Sequence, residues 1–268
     1  MKLSIWSHYF NGLSPEEKVQ AFAECGYQYL ELSTEDGEEL LRRGDPEKVG
    51  SEFKKVADDY GIRFLQGHLD LGADIRNSAT IESLKIWLDL FKAIDIKACV
   101  LHYGRGRDLN IPPDRLLLSR THSFQKLTEH IKGTDMYICL ENMSSKYDET
   151  CDNLLEIIRE TDSANLGICL DTGHLNLAGG NPAQFVIQAG SLLKALHIAD
   201  NDGTYDQHMM PYGRGSVPWQ QFMRALNNSG YDGLFNFEIP GESGAPLEIR
   251  KAKLVYIKTM AQYMAQIR

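Results

Sequence analysis

Short apolar runs alternate with amphipathic stretches along the whole chain. Eight runs have strand length: Leu3–Ser7, Tyr27–Leu32, Arg63–His68, Ala98–Tyr103, Met136–Asn142, Leu166–Asp171, Lys194–Asp200 and Leu234–Ile239. Their apolar character reads as strands buried on both faces of a parallel sheet. The stretches between them carry helix start signals. Leu13-Ser14-Pro15-Glu16-Glu17 sets a capping residue, a first-turn proline and acids in order. Gly44-Asp45-Pro46-Glu47 and Gly180-Asn181-Pro182-Ala183 repeat the pattern, and Ser216-Val217-Pro218-Trp219 is a looser version. Gly26, Gly61, Gly133 and Gly230 each stand just before the next strand, where a helix can end in left-handed backbone.

Eight strands, each followed by a helix, the last over Pro246–Gln266, predict an α/β chain folded as a single (β/α)8 TIM barrel. An open doubly wound sheet would often show a glycine-rich phosphate turn after its first strand, and His8-Tyr9-Phe10-Asn11-Gly12 is no such turn. The 268 residues suit one barrel domain over 1–268, since such domains run to about 250 residues. No Pro/Ser-rich linker, low-complexity tract or solenoid repeat divides the chain.

Composition adds limits. Hydrophobic residues make up 43% and charged residues 24%, enough apolar material for a full core. No apolar run approaches the roughly 20 residues of a membrane span, and the N-terminus has no long apolar segment before its first strand. The expectation is a cytoplasmic protein without a membrane partner. The five cysteines (Cys25, Cys99, Cys139, Cys151, Cys169) are odd in number and form no CxxC pair. They read as small core residues in a reducing compartment rather than as disulfides or a zinc knuckle. A formal net charge of -9, from 28 basic and 37 acidic residues, weighs against a nucleic-acid partner.

In such a barrel the chemistry sits at the C-terminal ends of the strands. Strand three ends at His68, strand four at His102, strand five at Glu141-Asn142 and strand six at Asp171-Thr172-Gly173-His174. Strand seven carries His197 and ends at Asp200, with Asp206 and His208 in the loop beyond, and strand eight carries Glu238. A lone strand-end histidine is more often a hydrogen-bonded core residue than a ligand. Six consecutive strand ends bearing ligand-type residues are a different matter. Buried carboxylates converging on one mouth repel each other unless a cation neutralises them. Glu141, Asp171, His197 and Glu238 are the candidate metal ligands, with His68, His102, His174, Asp206 and His208 as further candidates. His122 and His130 read as surface residues, and His8 stays undecided. Arg105, Arg107 and Arg214 could clamp an anionic group or be solvated loop residues. Trp6, Tyr9 and Phe10 could form an apolar wall against a sugar ring, and Trp6 could equally pack in the core.

The pieces Ile138-Cys139-Leu140-Glu141-Asn142, Cys169-Leu170-Asp171-Thr172-Gly173-His174, Leu196-His197-Ile198-Ala199-Asp200, His208-Met209-Met210-Pro211-Tyr212-Gly213-Arg214-Gly215 and Phe237-Glu238, in this order, resemble the xylose isomerase-like barrel superfamily. That superfamily groups sugar isomerases and epimerases with endonuclease IV-type enzymes, and the likeness spans nearly the whole chain. In the isomerase and epimerase branch it implies one divalent metal (Mn, Mg, Co or Zn) on Glu141, Asp171, His197 and Glu238. It also implies Glu141 and Glu238 as the catalytic acid/base pair of an enediolate mechanism. His68, His102, His174, Arg214 and Trp6 would then bind a small carbohydrate: a sugar, sugar phosphate or cyclic polyol. In the endonuclease IV branch the resemblance implies up to three zinc ions on His68, His102, Glu141, Asp171, His174, His197, Asp206, His208 and Glu238, and a phosphodiesterase acting on abasic DNA. A metal-dependent lyase or dehydratase of a cyclic hydroxy acid is a third alternative. A metal-binding protein without catalysis is a fourth. The acidic stretch Thr34-Glu35-Asp36-Gly37-Glu38-Glu39 would repel phosphates and favours the small substrate. Pro211-Tyr212-Gly213-Arg214-Gly215 departs from the Pro-Gly-x-Gly often found at that point of the family. The sequence leaves a homo-oligomer open.

Overall fold

The computed structural model describes residues 1–103, 113–144 and 151–267. Eight parallel strands form the inner ring: β1 (Lys2–Ile5), β2 (Tyr29–Leu32), β3 (Arg63–His68), β4 (Ala98–Leu101), β5 (Tyr137–Glu141), β6 (Leu166–Asp171), β7 (Leu193–His197) and β8 (Leu234–Phe237). Six of them, β2 to β7, pair in sequence order, and β1 pairs with β8. Thinner seams join the two groups. Trp6 bridges to Glu31, and Ile198 bridges to Phe237. At the second seam Ile198 N donates to Asn236 O at 2.8 Å and Glu238 N to Ile198 O at 3.2 Å. The chain is therefore a TIM barrel.

Several strands end earlier than their apolar runs. The residues beyond the ladder use side chains in place of backbone pairing. Asn142 shows how: its Oδ1 accepts from Asp171 N at 2.8 Å and its Nδ2 donates to Asp171 O at 3.0 Å. One amide thus extends the β5–β6 ladder by a step while the backbone turns away.

The helices depart from the expectation of one per strand. Among the described residues there are ten α-helices, because β2 and β6 are each followed by two. The extra ones, α2 (Thr34–Leu41) and α7 (Thr172–Leu177), start directly on the strand ends. Ser33 accepts from Asp36 N to cap α2, and Asp171 accepts from His174 N at 2.6 Å to cap α7. The outer ring holds α1 (Pro15–Glu24), α3 (Pro46–Asp59), α4 (Ser78–Ile94), α5 (Pro113–His130), α6 (Cys151–Thr161), α8 (Pro182–Ala189), α9 (Trp219–Asn228) and α10 (Leu247–Met264). Ser14, Asp45 and Asn181 cap α1, α3 and α8, each with proline in the first turn. Ser216 does not cap α9, whose N-cap is Pro218 without a side-chain bond. Its hydroxyl instead takes Asn176 Nδ2 at 2.9 Å. Gly26, Gly61, Gly133 and Gly230 all adopt positive φ.

The core has two parts. Between strands and helices lies a continuous apolar layer that includes Phe22, Phe91, Phe124, Phe222 and Leu254. Inside the ring a small plug of Ala98, Val100, Cys139, Cys169 and Ala195 fills the floor. Small side chains suit that narrow space, and the cysteines are free thiols, as expected. Above the plug the inward positions turn polar. Among the described residues no helix is long and apolar enough to cross a membrane.

Candidate metal centre

Glu141 is the hub of the polar layer. It ends β5, is 1% exposed, and four imidazoles surround it. Its Oε1 lies 3.2 Å from both His197 Nδ1 and His174 Nδ1. Its Oε2 lies 3.3 Å from His68 Nε2 and 3.2 Å from His102 Nε2. Asp171 and Glu238 close the ring around His197 Nδ1, at 3.9 Å and 3.4 Å. One donor atom from each of Glu141, Asp171, His197 and Glu238 falls within 4.8 Å of the others. His68, His102 and Glu141 form a second group of that span. Asp206 Oδ2 sits 3.2 Å from His174 Nε2 and 3.0 Å from His208 Nε2, a third cluster beside them.

The sequence separates these residues by up to 170 positions, and the barrel brings all nine to one mouth. The imidazoles are aimed by local bonds. His68 Nδ1 faces Leu69 O at 2.8 Å, which leaves Nε2 toward Glu141. His174 Nδ1 lies 3.1 Å from Asn142 O, and His208 Nδ1 lies 2.7 Å from Glu238 O. Thr172 ties the top of β6 to β7, donating to Ala199 O at 2.7 Å and accepting from Ala199 N at 3.0 Å.

Glu141 Oε2, Asp171 Oδ2 and His197 Nδ1 are buried and make no hydrogen bond among the described residues. Unpaired buried polar atoms are costly, and a donor set of carboxylates with one imidazole fits a divalent cation. Burial alone would raise the Glu141 carboxyl, but His197 and His102 beside it hold it well below the usual carboxylate range. Glu238 goes the other way. Burial pushes it up to about 7, assisted by Asp171 and Glu141 and opposed by His197 and His208. Burial would lower His197 and His174, yet neighbouring acidic groups hold both well above the ordinary imidazole value. His102 is lowered by burial.

Other candidates take different places. Trp6 is half-buried at the end of β1, its ring 5.0 Å from that of His8. Tyr9 and Phe10 do not form a wall. Both are 0% exposed, packed on Phe22 by the 3-10 turn Ser7–Phe10, and the Tyr9 hydroxyl donates to Arg250 O at 2.8 Å. His8 Nδ1 stands 3.5 Å from Glu35 Oε2. Arg214 is exposed, and Arg105 and Arg107 lie outside the described residues. His122 and His130 are on the surface, the latter bonded to Asp89 at 2.8 Å. Asp36 of the acidic stretch is buried, paired with Lys18 at 2.5 Å, so it does not face the mouth as a free charge.

Sequence reasoning gave no role to two groups that shape the site, Glu31, which it did not single out, and Asp200, which it placed only at a strand end. Glu31, in the middle of β2, contacts His197 from behind at 2.8 Å. Asp200 anchors the loop after β7 through Trp219 Nε1 at 2.7 Å and Val217 N at 3.1 Å. The signal for Glu31 was a charged residue between two leucines in a strand otherwise fit for burial.

The family described as xylose isomerase-like TIM barrel matches residues 19–260. An uncharacterised protein of Methanocaldococcus jannaschii is 36% identical over 170 residues, 59% of this chain, and the match spans 56% of that protein's length. A probable endonuclease 4 of Mycoplasmopsis pulmonis is 32% identical over 214 residues, 73% of this chain and 74% of that protein. An L-ribulose 3-epimerase of Methylomonas sp. is 24% identical over 251 residues, 87% of this chain and 81% of that protein. A solved D-psicose 3-epimerase of Clostridium cellulolyticum, crystallised with D-tagatose, superposes with a TM-score of 0.81 over 99% of both chains at 17% identity, a likeness of fold.

Proposed function

The chain belongs to the xylose isomerase-like TIM barrel family, and from that premise we propose that it is a divalent-metal-dependent isomerase or epimerase of a sugar, sugar phosphate or cyclic polyol. The L-ribulose 3-epimerase likeness makes ketose 3-epimerisation the first reaction to test. The observation that carries the proposal is the four-donor set of Glu141, Asp171, His197 and Glu238, the first three buried and Glu238 half-buried, with donor atoms within 4.8 Å of one another. Those four residues would hold the cation, which when bound would polarise the substrate carbonyl and stabilise enediolate charge.

The protein's own groups account for the proton steps. Glu141 and Glu238 come from strands three apart around the ring, so a ketose between them meets a carboxyl on each face. One takes the proton from the carbon beside the carbonyl, and the other returns a proton to the opposite face, inverting that centre. His68, His102 and His174 would bind substrate hydroxyls, Trp6 would give an apolar wall, and Arg214 would meet a charged substituent if the substrate has one.

A second reading has its own support. All nine residues implied by an endonuclease IV-type site lie at the mouth, in the three clusters around Glu141, Asp171 and Asp206. The net charge of -9 opposes it. The test is metal content of the untagged protein, followed by a panel of ketoses and an abasic duplex. One metal per chain and inversion at carbon 3 of a ketose support the epimerase. Three zinc per chain and cleavage of the duplex would overturn it.

A further inference from the structure

Glu31 is 0% exposed in the middle of β2, between Leu30 and Leu32. The β2–β3 register shifts between Leu30 and Glu31, and a bulge of this kind re-aims a side chain. Here it accompanies a carboxylate that points inward, one layer below the mouth and above the apolar plug of Cys139, Cys169 and Ala195. Three strands send N–H groups to it. Oε1 accepts from Gln66 Nε2 at 3.1 Å, and His197 Nε2 lies 2.8 Å from the same oxygen. Oε2 accepts from Asn236 Nδ2. Gln66 also donates to Leu196 O at 3.2 Å, which fixes the amide that holds Glu31.

We propose that Glu31 is the positioning residue of the metal centre, acting through His197. A carboxylate can only accept, so the His197 nitrogen facing it carries the proton. With a cation bound, the other nitrogen, Nδ1, would present its lone pair to it, and Nδ1 stands 3.2, 3.9 and 3.4 Å from oxygens of Glu141, Asp171 and Glu238. Glu31 thereby sets both the ring orientation and the tautomer needed for a ligand, and its charge strengthens the imidazole as a donor. A purely structural filler is a poor account of the same facts. Burying a carboxylate in a barrel floor is costly, and an apolar side chain would pack against the plug without that cost. Glu31 also reaches no substrate, being closed off by the His197 ring above it. The inference rests on the reading of Glu141, Asp171, His197 and Glu238 as ligands.

The experiment is a calorimetric titration of metal-free wild type and Glu31→Gln with Mn2+, with the unfolding midpoint of each metal-free protein measured alongside. The variant is isosteric, and Asn236, whose Oδ1 has no partner among the described residues, can turn its amide to accept the new N–H. The expected result is a Kd roughly ten- to a hundredfold weaker in the variant, with a nearly unchanged midpoint. Long-range 1H–15N spectra of metal-free wild type, at a pH where His197 keeps one proton, should place that proton on Nε2, a signature that a filler role would not produce. An unchanged Kd, or a proton on Nδ1, overturns the role of Glu31 and leaves the metal reading standing. Wild type that binds neither Mn2+ nor Zn2+ removes the metal reading and this inference with it. If Glu31→Gln does not fold, the wild-type tautomer alone decides.

Discussion

Glu141 Oε1 and His197 Nδ1 meet at 3.2 Å although they start from different levels of the barrel. Along the ladder His197 pairs with Asp171, while Glu141 pairs with Cys169, one inward position deeper. The longer glutamate side chain raises the β5 carboxyl to the level that a shorter aspartate reaches from β6. The choice of Glu on β5 and Asp on β6 is thus a matter of reach as well as charge.

That geometry predicts the outcome of two substitutions at one position. Glu141→Gln keeps the length and removes the charge, whereas Glu141→Asp keeps the charge and draws it back by one methylene. Both should lose metal under conditions that load the wild type. Both should also lower turnover of any proven substrate by at least about a hundredfold. Metal content after dialysis, with single-turnover rates, checks this. A loaded, active Glu141→Asp would show that reach does not matter.

Protonation of the histidine cluster sets a pH dependence. His208 is shifted as a balance: burial would lower it, but Asp206 and then Glu238 bring it up to about 10. His174 and His197 are raised in the same direction. A group whose folded value is raised contributes stability that is full below its unfolded value, about 6.5. That contribution fades as pH climbs through the folded value. The metal-free protein should therefore show a lower denaturant midpoint at pH 10 than at pH 6, with a smaller difference in His208→Gln. Metal affinity should run the other way, rising from pH 6 to pH 8, because a cation must displace the imidazole protons. A metal-free midpoint that rises toward pH 10 would contradict the charge pattern of the mouth.

The loop carrying Asp206 and His208 is closed by Asp200. Its backbone pairs with Met209, at 2.9 Å and 2.8 Å, and its carboxylate takes Trp219 Nε1. Gly215 makes room for that carboxylate: a Cβ there would lie 2.0 Å from Asp200 Oδ1. Gly215→Ala should cost about 1–3 kcal/mol of stability and shift the loop. The expected readout is a raised KM with a smaller change in kcat. An unshifted midpoint and unchanged KM would mean that the loop absorbs the methyl.

Much of this site was legible because the barrel translates sequence position into place. A polar residue at the end of an apolar run, such as Glu141 or Asp171, is at the mouth once the run is a barrel strand. Glu31 escaped because it stands before the end of its run, and the bulge that accompanies its inward course leaves no mark in the local pattern. Tyr9 and Phe10 misled for the opposite reason. They follow the end of β1, but the 3-10 turn carries their rings back into the layer against Phe22. The extra helices α2 and α7 escaped because their caps, Ser33 and Asp171, directly follow or end the strands themselves.

Asp206 separates the two functional readings most directly. It lies 3.2 Å from His174 and 3.0 Å from His208, outside the four-donor set around His197. His174 and His208 hold its carboxyl far below its ordinary value despite burial. If that cluster is an ion-paired wall of a sugar site, Asp206→Asn should keep the metal content of the wild type and retain turnover. Its KM should rise, because His174 loses the partner that orients it toward substrate. If the cluster is itself a metal site, the same substitution should remove one zinc per chain, as seen by elemental analysis, and abolish cleavage of an abasic duplex. The epimerase reading expects the first result, because the acid/base pair it needs, Glu141 and Glu238, is complete without Asp206.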